Sequence, residues 1–81
     1  MQITVRLFAA LREAVGQERI TLELDEGATV ADAWAGLCAR DAGFGACRTR
    51  LLIARNRRYV SVNEVLADGD ELALFPPLSG G

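Results

Sequence analysis

The sequence predicts an α+β fold, in which one sheet of about five strands is covered on one face by one main helix. Several short segments alternate apolar and polar residues, which is the period of a half-buried strand. One longer segment repeats apolar residues at helical spacing. A chain of 81 residues with 51% hydrophobic content is enough for one small domain.

The first three elements lie before the main helix. Residues 2–8 alternate and predict a strand. Residues 9–15 are rich in helix formers and stop at Gly16, which predicts a short helix or helical turn. Residues 18–24 alternate again and predict a second strand, which ends at the turn-forming residues 25–27.

The main helix begins at a capping box formed by Thr29 and Asp32. Apolar residues then follow at i, i+3, i+4, i+7 and i+8, and these are Val30, Ala33, Trp34, Leu37 and Cys38. The helix is expected to end near residues 40–42, because Gly43 and Gly45 do not favour its continuation. A loop through Cys47 to Arg50 is expected to follow.

The second half predicts three more strands. Residues 51–54 form a short apolar run, residues 56–58 supply a turn, and residues 59–61 return as the second strand of a hairpin. Residues 62–66 fit either a loop or a short helical turn. A tight turn at residues 68–70 leads to the last strand.

The last strand covers residues 71–75 and must end at Pro76 and Pro77. Neither proline can donate a ladder hydrogen bond. The remaining residues are Leu78, Ser79, Gly80 and Gly81, which are too few for another element. Terminal glycines have no β-carbon, so this tail could enter a narrow channel in another protein. An ordinary frayed terminus is the alternative interpretation.

The composition excludes several common kinds of active site. The chain has no histidine, and all nine of its basic residues are arginine. This excludes histidine bases, histidine metal ligands, lysine Schiff bases and phosphate-loop lysines. With a formal net charge of −2, the chain is not expected to bind nucleic acid. No apolar run reaches the roughly 20 residues of a membrane span, and no signal peptide is evident, so we expect a cytoplasmic protein.

Cysteines and charges allow weaker inferences. Cys38 shares the apolar stripe of the helix and is interpreted as structural, and Cys47 lies in a loop. Both are expected to be reduced, and no metal site is expected. Five arginines lie close together at Arg48, Arg50, Arg55, Arg57 and Arg58, and four acids follow at Glu64, Asp68, Asp70 and Glu71. These charges indicate either solvated faces or a charge-polarised docking surface.

Two segments resemble the small sulfur-carrier subunit of molybdopterin synthase. Residues 8–13 (FAALRE) are similar to the opening segment of that family, and residues 66–81 (LADGDELALFPPLSGG) are similar to its closing signature. The resemblance spans the chain and implies a ubiquitin-like β-grasp fold with a mixed sheet. It implies a domain over residues 1–77 and a flexible tail over residues 78–81. One departure is Arg55, where the family often has an apolar residue.

The resemblance implies a sulfur-transfer role for the tail. A ubiquitin-activating-like enzyme would use ATP to adenylate the Gly81 carboxylate, and sulfide would then displace AMP to give a thiocarboxylate. The sulfur would pass to cyclic pyranopterin monophosphate in the large synthase subunit and build the molybdopterin dithiolene. The family implies a heterotetramer of two small and two large subunits. The chain itself is expected to bind no cofactor.

A docking surface is expected where the tail leaves the domain. In a β-grasp the first and last strands are parallel neighbours, so Phe8 and Phe75 should flank Pro76 and Pro77 there. The resemblance adds Arg12 and Tyr59 to this surface. A core position at the end of the sheet is the alternative for Phe75, and Trp34 is interpreted as core.

The same sequence also fits other functions. A ubiquitin-like modifier would join Gly81 to a lysine of a target protein, whereas a plain interaction module would use no tail chemistry. The chain has no lysine, so it cannot form lysine-linked polymers of itself. Related carriers of thiamine or cysteine synthesis are a further alternative, but thiamine carriers tend to lack the Phe-Pro-Pro approach to the terminal glycines.

Overall fold

The computed structural model describes residues 1–45 and 52–75. In chain order, the elements are β1 (Gln2–Leu7), α1 (Ala9–Val15), β2 (Arg19–Glu23), α2 (Val30–Arg40), α3 (Ala42–Gly45), β3 (Leu52–Arg55), β4 (Arg58–Tyr59) and β5 (Glu71–Phe75). The strands form one sheet in the order β2-β1-β5-β3-β4. The central strands β1 and β5 are parallel, and the other neighbouring pairs are antiparallel. The expected mixed β-grasp sheet is confirmed.

One face of the sheet carries the core. Alternate residues of β1 are buried, as the period of two predicts, and the same holds for β2 and β5. Helix α2 lies over this face and buries Val30, Ala33 and Leu37. Its capping box is present, because the Thr29 hydroxyl accepts from the Asp32 amide and the Asp32 carboxylate accepts from the Thr29 amide. No helix in the described part of the chain is long and apolar enough to cross a membrane.

A short helix that the sequence did not predict follows α2, and the expected loop through Cys47 to Arg50 lies outside the described residues. Helix α2 does end at Arg40, but residues 42–45 form the short helix α3 and bury Phe44 completely. A β-carbon on Gly43 would lie 2.8 Å from the backbone oxygen of Ala14 at the end of α1. Gly43 therefore allows two helices to approach closely. Trp34 contacts Phe44 edge-on, with ring centroids 5.7 Å apart, and is partly buried against the core as expected.

The two strands of the hairpin have different bounds from those expected. Strand β3 runs on to Arg55, and β4 is only Arg58–Tyr59 instead of residues 59–61. The turn between them is Asn56-Arg57, and both residues have positive φ, at 49° and 72°. A two-residue hairpin turn of this kind requires left-handed backbone at both positions. Leu51, the expected first residue of the strand, lies outside the described residues.

Residues 62–66 form a loop that pairs with the start of α2. The carbonyl of Val62 accepts from the amide of Ala31, and the carbonyl of Glu64 accepts from the amide of Val30. Val65 forms an isolated antiparallel bridge with Thr29. The segment is a loop with one hydrogen-bonded turn, in which the Glu64 amide donates to the Ser61 carbonyl at 3.2 Å, and the loop satisfies amides at the helix start.

Candidate functional site

The site lies on the open face of the sheet, which is the face that α2 does not cover. Phe8 follows β1 and Phe75 ends β5, and the parallel pairing of these strands brings the two rings together. Their centroids are 4.7 Å apart and their planes differ by 13°, so the rings are stacked. Both residues are half-buried. The core residues of β5 are Leu72 and Leu74, so Phe75 is not part of the core.

Apolar residues extend from this stacked pair across the neighbouring strands. Leu52 pairs with Phe75, and Ala54 lies between Ala73 and Tyr59 in the register of the sheet. Leu52 is 53% exposed and Tyr59 is 68% exposed. A large apolar side chain that remains exposed beside aromatic rings is typical of a protein interface.

A shallow depression lies within this apolar surface, and we refer to it as the sheet-face hollow. Its volume is about 280 Å³. It is lined by Arg6, Phe8, Ala54, Arg57, Tyr59, Glu71, Ala73 and Phe75. The Arg6 guanidinium carbon is 5.4 Å from the centroid of the Phe8 ring, which is within the range of a cation–π contact. Aromatic side chains and arginines therefore surround a small apolar floor.

The structure brings together three of the residues that the sequence and the family resemblance placed at the docking surface. Phe8, Tyr59 and Phe75 all line the hollow. Arg12 does not line it: it lies one turn along α1, where its amide donates to the Phe8 carbonyl, and its side chain is exposed. The remaining expected site residues, Pro76, Pro77, Leu78, Ser79, Gly80 and Gly81, lie outside the described residues.

Sequence reasoning missed four residues of this surface, namely Arg6, Leu52, Ala54 and Ala73. A signal for two of them was available, because Arg6 and Ala73 occupy the positions of β1 and β5 that alternate with core residues. Arg57 belongs to the arginine stretch that the sequence offered as a possible docking surface, and the turn places it at the rim of the hollow.

Of the four acids that the sequence offered as solvated faces or as a docking surface, one is buried. Asp70 is only 6% exposed. Its carboxylate accepts from Arg55 Nε at 2.7 Å, from the Ala67 amide at 2.7 Å and from Asn56 Nδ2 at 3.0 Å. Glu64 accepts from Arg55 Nη1 at 2.9 Å. The Asp70 carboxylate is therefore buried against Arg55, whereas Glu64 pairs with Arg55 while 39% of its side chain stays exposed.

These hydrogen bonds to Asp70 and Glu64 explain how a charged residue, Arg55, fits at a position where the family often has an apolar residue. Its hydrogen bonds to Asp70 and then to Glu64 raise the pKa of the guanidinium. Burial alone would raise the pKa of Asp70, but its hydrogen bonds from Ala67, Asn56 and Arg55 together lower the pKa. Arg55 therefore ties strand β3 to the loop before β5. Arg55 therefore does not belong to the charge-polarised docking surface that the five arginines could form. Arg48 and Arg50 lie outside the described residues.

The cysteine thiols and the possible metal ligands are the remaining reactive groups of the chain. Burial raises the pKa of the Cys38 thiol, which favours the unreactive protonated form, and Cys38 packs against the core as expected. Cys47 lies outside the described residues. Within residues 1–45 and 52–75, no three His, Cys, Asp or Glu side chains are grouped so that they could hold a metal ion.

The matches to known proteins extend over nearly the whole chain. Residues 5–81 match the ThiS family. The molybdopterin synthase sulfur carrier subunit of Chlamydomonas reinhardtii is 41% identical over 83 residues, covering 100% of both chains. Small archaeal modifier protein 3 of Haloferax volcanii is 34% identical over 92 residues, again covering 100% of both. The crystal structure of SAMP1 from Haloferax volcanii superposes with a TM-score of 0.91 at 32% identity and full coverage of both chains.

Proposed function

Because the chain belongs to the ThiS family, we propose that it is the sulfur-carrier subunit of a molybdopterin synthase. The observation that carries this proposal is the stacked Phe8–Phe75 pair on the open face, since Phe75 is only six positions before Gly81. The similarity over full length to a molybdopterin synthase carrier supports the same role. The domain would supply the docking surface, and the tail would supply the chemistry.

The reactive group in this proposal is the carboxylate of Gly81. A carboxylate is a poor electrophile, so an adenylating enzyme of the ubiquitin-activating type would join it to AMP from ATP and release pyrophosphate. Sulfide would attack the acyl carbon and expel AMP, which leaves a thiocarboxylate. Its sulfur would form a bond to a carbon of cyclic pyranopterin monophosphate while a carbon–oxygen bond at that carbon breaks and the oxygen group leaves. Two such carriers would deliver the two sulfurs. Water would then cleave the acyl–sulfur bond, return the carboxylate and leave sulfur in the molybdopterin dithiolene.

The geometry limits where each partner can bind. Residues 76–81 span at most about 20–22 Å when fully extended, at about 3.3–3.6 Å per residue. The active sites of the large synthase subunit and of the adenylating enzyme would therefore lie within that distance of Phe75. We expect both partners to contact the open face near Phe8, Tyr59 and Phe75, and so to compete for it. The assembly would hold two small and two large subunits in the cytoplasm.

The test is sulfur transfer by a reconstituted system. The chain would be incubated with the adenylating enzyme, ATP and sulfide, and intact mass would report the exchange of one oxygen for sulfur at Gly81. Addition of the large subunit and the pterin precursor should then yield molybdopterin. Deletion of Gly81, or addition of one residue after it, should abolish transfer and leave the melting temperature unchanged, since the last core residue in the described part of the chain is Leu74. Transfer by the truncated chain would contradict the proposal.

A second candidate is a ubiquitin-like modifier. It is favoured by the similarity to small archaeal modifier protein 3. In that case the activated Gly81 would form an amide with a lysine of a target protein, and tagged chain expressed in its host would appear in covalent conjugates resistant to denaturation and thiols. A sulfur carrier would instead be recovered as the free thiocarboxylate. The two outcomes separate the candidates in one preparation.

A further inference from the structure

We propose that the sheet-face hollow is a socket for one apolar side chain of the large synthase subunit, and that this side chain is flanked by a carboxylate that pairs with Arg6 and Arg57. The inference rests on the proposed function, since it specifies how the partner would hold the carrier. It adds a defined contact to the general expectation of docking near the aromatic pair.

The shape of the hollow indicates a single side chain. Its floor is the cross-strand pair Ala54–Ala73, and its walls include the stacked pair Phe8–Phe75 on one side and Tyr59 on the other. Small residues at the centre of an aromatic surface leave a depression there. Its volume of about 280 Å³ falls just below the roughly 300–1,000 Å³ of pockets that hold whole small molecules. Anchor side chains in such pockets dominate many protein interfaces.

The charges at the rim indicate an acidic neighbour. Arg6 and Arg57 line the hollow together with one acid, Glu71, so its lining carries a formal charge of +1. Within residues 1–45 and 52–75, the ion pairs that form involve only Arg55, and neither Arg6 nor Arg57 has a carboxylate within 4.0 Å. Both guanidinium groups can therefore pair with a partner. Arg57 is held there by a left-handed turn conformation that an L-residue rarely adopts.

The sequence of the domain offers matched variants for the test. Ala73→Leu would fill the hollow from its floor, and Thr21→Leu places the same side chain on the open face of β2, outside the hollow. Arg6→Gln and Arg57→Gln would remove the rim charges. Arg40→Gln removes one arginine on α2, whose guanidinium contacts the Thr21 carbonyl. Circular dichroism and melting would show that each variant is folded.

The experiment measures binding of each variant to the purified large synthase subunit by titration calorimetry at two salt concentrations. Ala73→Leu should weaken binding at least tenfold, and Thr21→Leu should change it less than twofold. Arg6→Gln and Arg57→Gln should each weaken binding several-fold at low salt and reduce its salt dependence, whereas Arg40→Gln should do neither.

Each result that differs from these expectations refutes a specific part of the proposal. Binding of a folded Ala73→Leu chain as tight as the parent's would refute the socket and leave the sulfur-carrier proposal intact. Unchanged binding and salt dependence in both rim variants would refute the acidic neighbour. Concentration-dependent self-association that Ala73→Leu abolishes would assign the hollow to a second copy of the chain. Failure of the parent chain to bind the large subunit would overturn the proposed function and the socket together.

Discussion

Replacing Phe75 with alanine tests whether the stacked pair serves docking or folding. The ring is half-buried and stacks on Phe8 with centroids 4.7 Å apart. A stacked aromatic pair contributes about 0.5–1.5 kcal/mol beyond burial. Complete burial of a phenylalanine contributes about 1.5–3 kcal/mol, so half of it adds about 1 kcal/mol. Phe75→Ala should therefore lower the free energy of unfolding by about 1.5–2.5 kcal/mol.

The matched control is the same substitution at Phe44, which is completely buried. Phe44→Ala should cost about 3–5 kcal/mol, because it removes a core side chain and leaves a cavity. Both variants would be unfolded in urea and followed by circular dichroism at 25 °C. Binding to the large subunit would be measured in the same buffer, well below the unfolding transition.

A docking role and a folding role for Phe75 predict different changes in stability and in binding to the large subunit. If Phe75 is an interface anchor, Phe75→Ala should weaken binding by about 1–4 kcal/mol, which is roughly 5-fold to 1,000-fold. Phe44→Ala should bind nearly as the parent does wherever it remains folded. A loss of stability at Phe75 equal to that at Phe44, or unchanged binding of Phe75→Ala, would refute the reasoning.

Three further substitutions test the structure itself by urea unfolding. Asp70→Asn should cost about 1.5–3 kcal/mol at pH 7, because it removes the charged acceptor of three hydrogen bonds. The folded pKa of Asp70 lies below its unfolded value, so the stabilisation that the Asp70 carboxylate provides is present above pH about 4 and is lost as pH falls through the lower folded pKa. Below pH about 4 the free energy of unfolding of the parent should therefore fall more steeply than that of Asp70→Asn. Equal slopes of the two stability–pH curves would contradict this. Gly43→Ala should cost about 1–3 kcal/mol, since its β-carbon would press on the Ala14 backbone, and a neutral result would show that α1 and α3 can separate freely. Thr29→Ala should cost about 1 kcal/mol through loss of the helix cap, and an effect below a few tenths would mean that the loop at residues 62–66 caps α2 without it.

Elements whose signals are local could be predicted from the sequence. The alternation in β1, β2 and β5 depends only on the period of a strand, and the capping box at Thr29 spans four residues. The class of fold followed from the order of these elements. The adjacency of Phe8 and Phe75 was predicted correctly only with the help of the family resemblance, because parallel pairing of β1 and β5 joins residues that are far apart in the chain.

The tertiary structure alone decided the features that depend on distant neighbours. Helix α3 packs closely on the end of α1 because Gly43 has no β-carbon to press on Ala14, and no signal within residues 42–45 contains that contact. Asp70 belongs to the interior because Arg55, fifteen positions earlier, reaches it across the sheet. The hollow forms because two alanines on adjacent strands lie in register. Sequence patterns report which faces of an element are apolar, but burial, close approach and paired charges are set by which elements pack together.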